Sequence, residues 1–186
     1  EFYDPKGRLR KNRAIQFGVD EEDVPRVFGM AREMKGVRIN GLHTHVQSQI
    51  LDAKFIMQNF QISWRIFNEV KEKYAPEMTV CNFGGGFGIP YLATENELDM
   101  AAVKEGMSQF DNIQAPLRPY VETGRFIVGQ SGRFIVRVAY RKESRGSNIL
   151  VVNGGMNNNF SVVGAAQFER RNYIMTALTG RPQGET

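Results

Sequence analysis

Met78-Thr-Val-Cys-Asn-Phe-Gly-Gly-Gly-Phe-Gly-Ile-Pro-Tyr91 is the stretch on which the fold turns. Val80 to Phe83 has the length and composition of a buried strand. It breaks into Gly84, Gly85 and Gly86, with Gly88 close behind. A strand that ends in glycines leaves bare backbone N–H groups with no side chains in the way. Such a turn can close around a phosphate, because convergent N–H dipoles bind anions. The dinucleotide fingerprint does not fit: with Gly84 and Gly86 as its first two glycines, the third position falls on Ile89. The stretch therefore reads as a phosphate cup for a cofactor of mononucleotide size or smaller, set against the plainer reading of a glycine-rich βα turn.

Outward from this turn, the chain alternates. Asp20 is placed to cap a helix carrying Val24, Val27, Phe28, Ala31 and Met34 at spacings of three and four, which Gly36 ends. Val37 to Val46 predicts a strand running out at His43-Thr-His-Val-Gln-Ser-Gln49. A long amphipathic helix is expected from Asp52 to about Tyr74, with Ile56, Phe60, Phe67, Val70 and Tyr74 as its core stripe, widened by Phe55 and Trp64 and stopped by Pro76. After the glycine turn, Glu97 to about Asn112 predicts a helix with Leu98, Ala102, Met107 and Phe110 inward. Leu117 to Glu122 predicts a strand ending at Thr123-Gly124-Arg125. Helix and strand in alternation imply parallel strands joined by crossover helices. Three such strands make either an open sheet or part of a larger barrel.

Beyond Gly132 the period changes to that of a half-solvated strand through Phe134, Val136, Val138 and Tyr140. Arg145-Gly146 turns it back through Asn148 to Val152, a hairpin and hence antiparallel sheet. The tail after Gly155 is polar and Asn-rich, and the last eight residues are expected to be disordered.

Composition bounds the function. The chain has 186 residues, enough for one sizeable core, and a net charge of +4. Its basic residues are scattered apart from Lys6 to Arg13 and Arg137 to Arg145, too sparse for nucleic acid. No apolar run reaches the ~20 residues of a membrane span. The single Cys81 excludes an internal disulfide and fits a reducing compartment.

Three consecutive strand ends carry chemistry: His43, His45 and Ser48; the glycines; and Glu122, Gly124 and Arg125. In a parallel barrel, strand C-termini share the active-site face, so the clusters are expected to converge. His43 and His45 are expected to divide, with one facing the core. Glu122 and Arg125 have the plain alternative of a surface ion pair. Two His and one Glu could form a zinc set, but the helical His spacing is missing, so no metal is expected.

The segments Gly41-Leu-His-Thr-His-Val-Gln-Ser-Gln49, Asn82-Phe-Gly-Gly-Gly-Phe-Gly-Ile-Pro-Tyr91 and Glu122-Thr-Gly-Arg125 resemble the pyridoxal-phosphate-dependent decarboxylases with an alanine-racemase-like barrel, which include diaminopimelate and ornithine decarboxylases. Arg141 to Gly146, Val152 to Met156 and Arg170 to Tyr173 are most similar to the branch acting on carrier-protein aminoacyl groups or associated with exosortase clusters.

The resemblance implies an α/β fold, a partial (β/α)8 TIM-type barrel over residues 1–131 that binds pyridoxal 5'-phosphate. Residues 132–186 would begin an antiparallel β domain. His45 would stack on the ring, and Glu122 would bond the pyridine nitrogen. Ser48, Gly84, Gly85 and Gly86 would hold the phosphate, with Gly124 and Arg125 closing its other side. A carboxylate at position 122 keeps the ring protonated and favours decarboxylation over racemisation.

The resemblance also implies a cytoplasmic homodimer acting on an amino acid or an aminoacyl carrier protein, with neither nucleic acid nor membrane as partner. The chain departs from the family at Gln47, Thr123 and Asn153. None of its lysines matches the Schiff-base motif, so it is expected to be a central segment, inactive alone. Those departures also suggest a non-catalytic, barrel-derived binding module. The glycine cup alone would suit a phosphoester binder.

Overall fold

The computed structural model describes residues 2–3, 9–10, 17–155, 157–158 and 175–178, and the last eight residues fall outside it. The chain divides into two compact units, Glu1–Ile89 with Glu97–Gly129, and Pro90–Asn96 with Gln130–Thr186.

The first unit opens with a two-residue antiparallel pair, β1 (Phe2–Tyr3) and β2 (Leu9–Arg10). It then runs α1 (Val24–Glu33), β3 (Gly41–His43), α2 (Ala53–Tyr74), β4 (Val80–Gly85), α3 (Met100–Met107), β5 (Arg118–Glu122) and α4 (Gly124–Val128). Strands β3, β4 and β5 form one parallel sheet in that order, with β4 central. The expected alternation of helix and strand is therefore present.

The helix α2 is built as its sequence requires. Asp52 caps it by accepting from the N–H of Lys54 at 2.8 Å. Ile56, Phe60, Phe67 and Val70 are buried along one stripe. They pack on Cys81 and Phe83 of β4 and on Val103 and Phe110 beyond it. Phe60 stacks on Phe83 at 4.8 Å, Trp64 on Phe67 at 5.4 Å, and Phe83 lies 5.2 Å from Phe110. Each fully buried Phe contributes about 1.5–3 kcal/mol relative to exposure, which makes this aromatic layer the principal source of cohesion.

Some boundaries differ from expectation. The strand predicted over Val37–Val46 forms only at Gly41–His43, which pair with Val80 to Asn82 of β4. The third helix starts at Met100 rather than Glu97: Asp99 caps it through the N–H groups of Ala101 and Ala102. Met34, expected on the core stripe, lies past the end of α1 in extended backbone and is half exposed. All five residues of β5 are exposed, as suits an edge strand.

In the second unit, β6 (Val138–Ser144) and β7 (Ser147–Val152) form the expected hairpin. Arg145 and Gly146 both take positive φ, 53° and 75°, as a tight two-residue turn needs. Asn153 closes its open end: its N–H donates to Arg137 O at 3.1 Å and its Oδ1 accepts from Arg137 N at 2.8 Å.

Two outcomes follow. Phe67→Ala should lower unfolding stability by about 3–5 kcal/mol in urea titrations, through lost burial and the cavity left behind. Burial pushes the Cys81 thiol up to about 12. Since the thiolate is the reactive form, Cys81 should resist aromatic disulfide reagents at pH 8 and react only as denaturant unfolds the chain.

Candidate active site

The glycine bend draws the three strand ends together. A methyl group on Gly84 would run into the main-chain oxygen of Thr44, one on Gly85 into that of Glu122, and one on Gly86 into that of Gln47. Each glycine thus admits a carbonyl from a neighbouring segment. Gly84 and Gly86 also hold φ of +71° and +103°, which side-chain-bearing residues rarely adopt.

The segment after β3 extends the pairing. Ile50 N donates to Gly86 O at 2.7 Å, and Gly88 N donates to Ile50 O at 2.9 Å. Gln49, at φ +65°, donates to Ile89 O and accepts from Ile89 N at 3.3 Å.

A cavity of about 140 Å³ opens at this junction, lined by His45, Ser48, Gln49, Gly85, Gly86, Phe87, Glu122, Thr123 and Arg125. The expected convergence therefore places His45, Ser48, Gly85, Gly86, Glu122 and Arg125 around one hollow. Gly84 and Gly124 do not line it. Gly84 shapes the turn behind, donating to Asn82 Oδ1 at 2.9 Å, and Gly124 opens α4.

The expectation that His43 and His45 divide is corrected. Both side chains are exposed, so neither faces the core. His45 lines the cavity, and His43 Nε2 lies 3.7 Å from Oε1 of the cavity residue Glu122. Thr44 takes the other side, its hydroxyl 2.6 Å from that of Ser63 on α2. Ser63 in turn donates to Asn59 O at 2.8 Å, so α2 anchors the histidine turn.

Glu122 bonds Asn82, whose Nδ2 donates to Oε1 at 2.8 Å. Arg125 Nη1 lies 3.5 Å from Gln49 Oε1. Gln47 is not in the lining, whereas Thr123 is. Among the described residues, no group of three His, Cys, Asp or Glu could hold a metal.

Asn82, Gln49 and Phe87 join the site unannounced by the sequence reading. A polar Asn82 inside the apolar run Val80–Phe83 is the one signal that could have marked the first.

A family profile described as pyridoxal-dependent decarboxylase, pyridoxal binding domain, matches residues 7–136. The chain belongs to this family. Among curated relatives it is 27% identical to an L-glutamyl-(BtrI acyl-carrier protein) decarboxylase of Niallia circulans, over 89% of this chain and 40% of that protein. It is 34% identical to a diaminopimelate decarboxylase of Bacteroides thetaiotaomicron, over 76% of this chain and 37% of that one. The chain thus spans about two fifths of the length of these relatives. The solved diaminopimelate decarboxylase of M. jannaschii in complex with L-lysine superposes with a TM-score of 0.60 at 27% identity, over 76% of this chain and 34% of that chain. The parallel sheet is accordingly part of a decarboxylase-type (β/α) barrel.

The family's cofactor is pyridoxal 5'-phosphate, and the donor set here fits it. The cavity offers a hydroxyl, a guanidinium and glycine backbone to an anion. It also offers the carboxylate of Glu122 to a protonated ring. Gly86→Ala would need both a disfavoured φ and room taken by Gln47 O. It should lower Tm by several degrees and weaken binding of pyridoxal phosphate at least about tenfold, read by fluorescence titration.

Proposed function

We propose that this chain is the central part of a pyridoxal-phosphate-dependent decarboxylase acting on an amino acid, either free or carried as an aminoacyl group on a carrier protein. The observation that carries the reading is Glu122 in the same cavity as the glycine bend. When bound, the cofactor supplies an electron sink for the pair released as CO2 leaves.

The residues of this chain set the conditions for that chemistry. Glu122 holds a proton at the ring nitrogen, since an adjacent carboxylate favours the charged form of the ring. His45 packs against the ring face. Ser48, Gly85, Gly86 and Arg125 hold the phosphate, with Gly84 and Gly124 supporting the two loops. Phe87, braced by Phe126 at 5.9 Å, supplies an apolar wall that limits water.

None of the lysines here lies in the family's lysine motif, so we assign the covalent anchor to sequence outside these 186 residues. The segment alone is then expected not to catalyse. The carrier-bound substrate is supported by the likeness to the Niallia circulans enzyme, and the free amino acid by the likeness to diaminopimelate decarboxylases. A homodimer in the cytoplasm is part of the same proposal. Its support is family analogy and the single buried Cys81. Among the described residues, no helix is long and apolar enough to cross a membrane.

The test is CO2 release with pyridoxal phosphate, offering diaminopimelate, lysine, ornithine and a glutamyl-loaded carrier protein. The 186-residue chain should release none, and the longer protein should act on one of them. Glu122→Gln in the longer protein should lower kcat roughly 10²-fold or more with little change in KM. Turnover by the segment alone, or full activity of the variant, would overturn the assignment.

A further inference from the structure

We propose that Asn82 is a positioning residue that ties the carboxylate of Glu122 to the glycine bend, so that one amide sets both ends of the cofactor site. The inference rests on the reading of Glu122 as the ring-nitrogen partner.

A primary amide has an acceptor end and a donor end. In Asn82 the acceptor end is taken: Oδ1 receives the N–H of Gly84 at 2.9 Å. The donor end must then face away from Gly84, and Nδ2 meets Glu122 Oε1 at 2.8 Å. Neither end can be exchanged without losing both bonds. The second is charge-assisted, the stronger kind of hydrogen bond. Among the described residues, Oε2 of Glu122 takes no side-chain donor, so Asn82 occupies one carboxylate oxygen and leaves the other to the site.

The strand register shows why this residue holds the post. Asn82 pairs with Tyr120, but the next pair is Gly85 with Glu122. Three steps on β4 therefore match two on β5, an extra residue accommodated at Gly84 with φ +71°. Bulges of this kind re-aim neighbouring side chains and need a partner for the displaced N–H. Asn82 supplies that partner from two residues back, as Asn does in local turns. The side chain that stabilises the bulge is thus the one that reaches across to Glu122.

The probe is pyridoxamine 5'-phosphate labelled with 15N in the ring, which binds without a covalent link to lysine. Its 15N shift reports ring protonation, and its fluorescence reports affinity, both at pH 8. The variants are Asn82→Ala, Glu122→Gln and the pair together, with Asn82→Leu as a second replacement should the alanine variant fail to fold. Either Asn82 variant is expected to move the ring signal toward the unprotonated value and weaken binding about tenfold. The double variant should lose less affinity than the sum of the two single losses, because Asn82 reaches the ring only through Glu122. A purely structural Asn82 would give additive losses with an unchanged ring signal, and that result overturns the proposal while leaving the cofactor reading intact. If the unsubstituted protein binds the probe with an unprotonated ring, or does not bind it, the Glu122 reading fails and this inference falls with it.

Discussion

Three main-chain oxygens press into one bend of β4, and the rest of the site depends on that crowding. Thr44 O, Glu122 O and Gln47 O lie where the β-carbons of Gly84, Gly85 and Gly86 would be. Any side chain at these positions would push away the segment after β3 or the end of β5. The glycines are therefore needed for close approach of backbone, before the anion binding proposed for them. The two uses are compatible, because a turn stripped of side chains both admits neighbours and exposes its own amides.

Behind the bend stands a rigid support. The aromatic layer of Phe60, Trp64, Phe67, Phe83 and Phe110 locks α2 onto β4. Thr44 and Ser63 link that helix to the turn bearing both histidines. A site whose groups must sit within fractions of an ångström gains from elements with little freedom to move. The exposed groups, by contrast, sit where solvent and a ligand can reach them: His43 and Glu122 are each about half exposed, at 49% and 54% of their side chains. Their geometry comes from backbone register and from Asn82 rather than from burial.

The departures from the family's pattern now have places. Gln47 contributes its backbone oxygen to the bend and is not in the cavity lining, so its side chain does not stand in the lining in place of the family's glycine. Asn153 belongs to the hairpin unit, where it closes the strand pair on Arg137. Thr123 is the one of the three that lines the cavity.

By itself the sequence determined the alternation of helices and parallel strands, the hairpin at Arg145-Gly146, the core stripe of α2 and the motifs at three strand ends. These are local matters of period, capping and turn chemistry, and each is written in residues adjacent along the chain. Only the tertiary structure decided which oxygen Glu122 shares with Asn82, that both histidines fall on one side, and that Gln49 straps Ile89. Those facts depend on strand register and on a bulge at Gly84. A register is set by how two distant segments pack, so a shift of one residue would redirect every side chain involved.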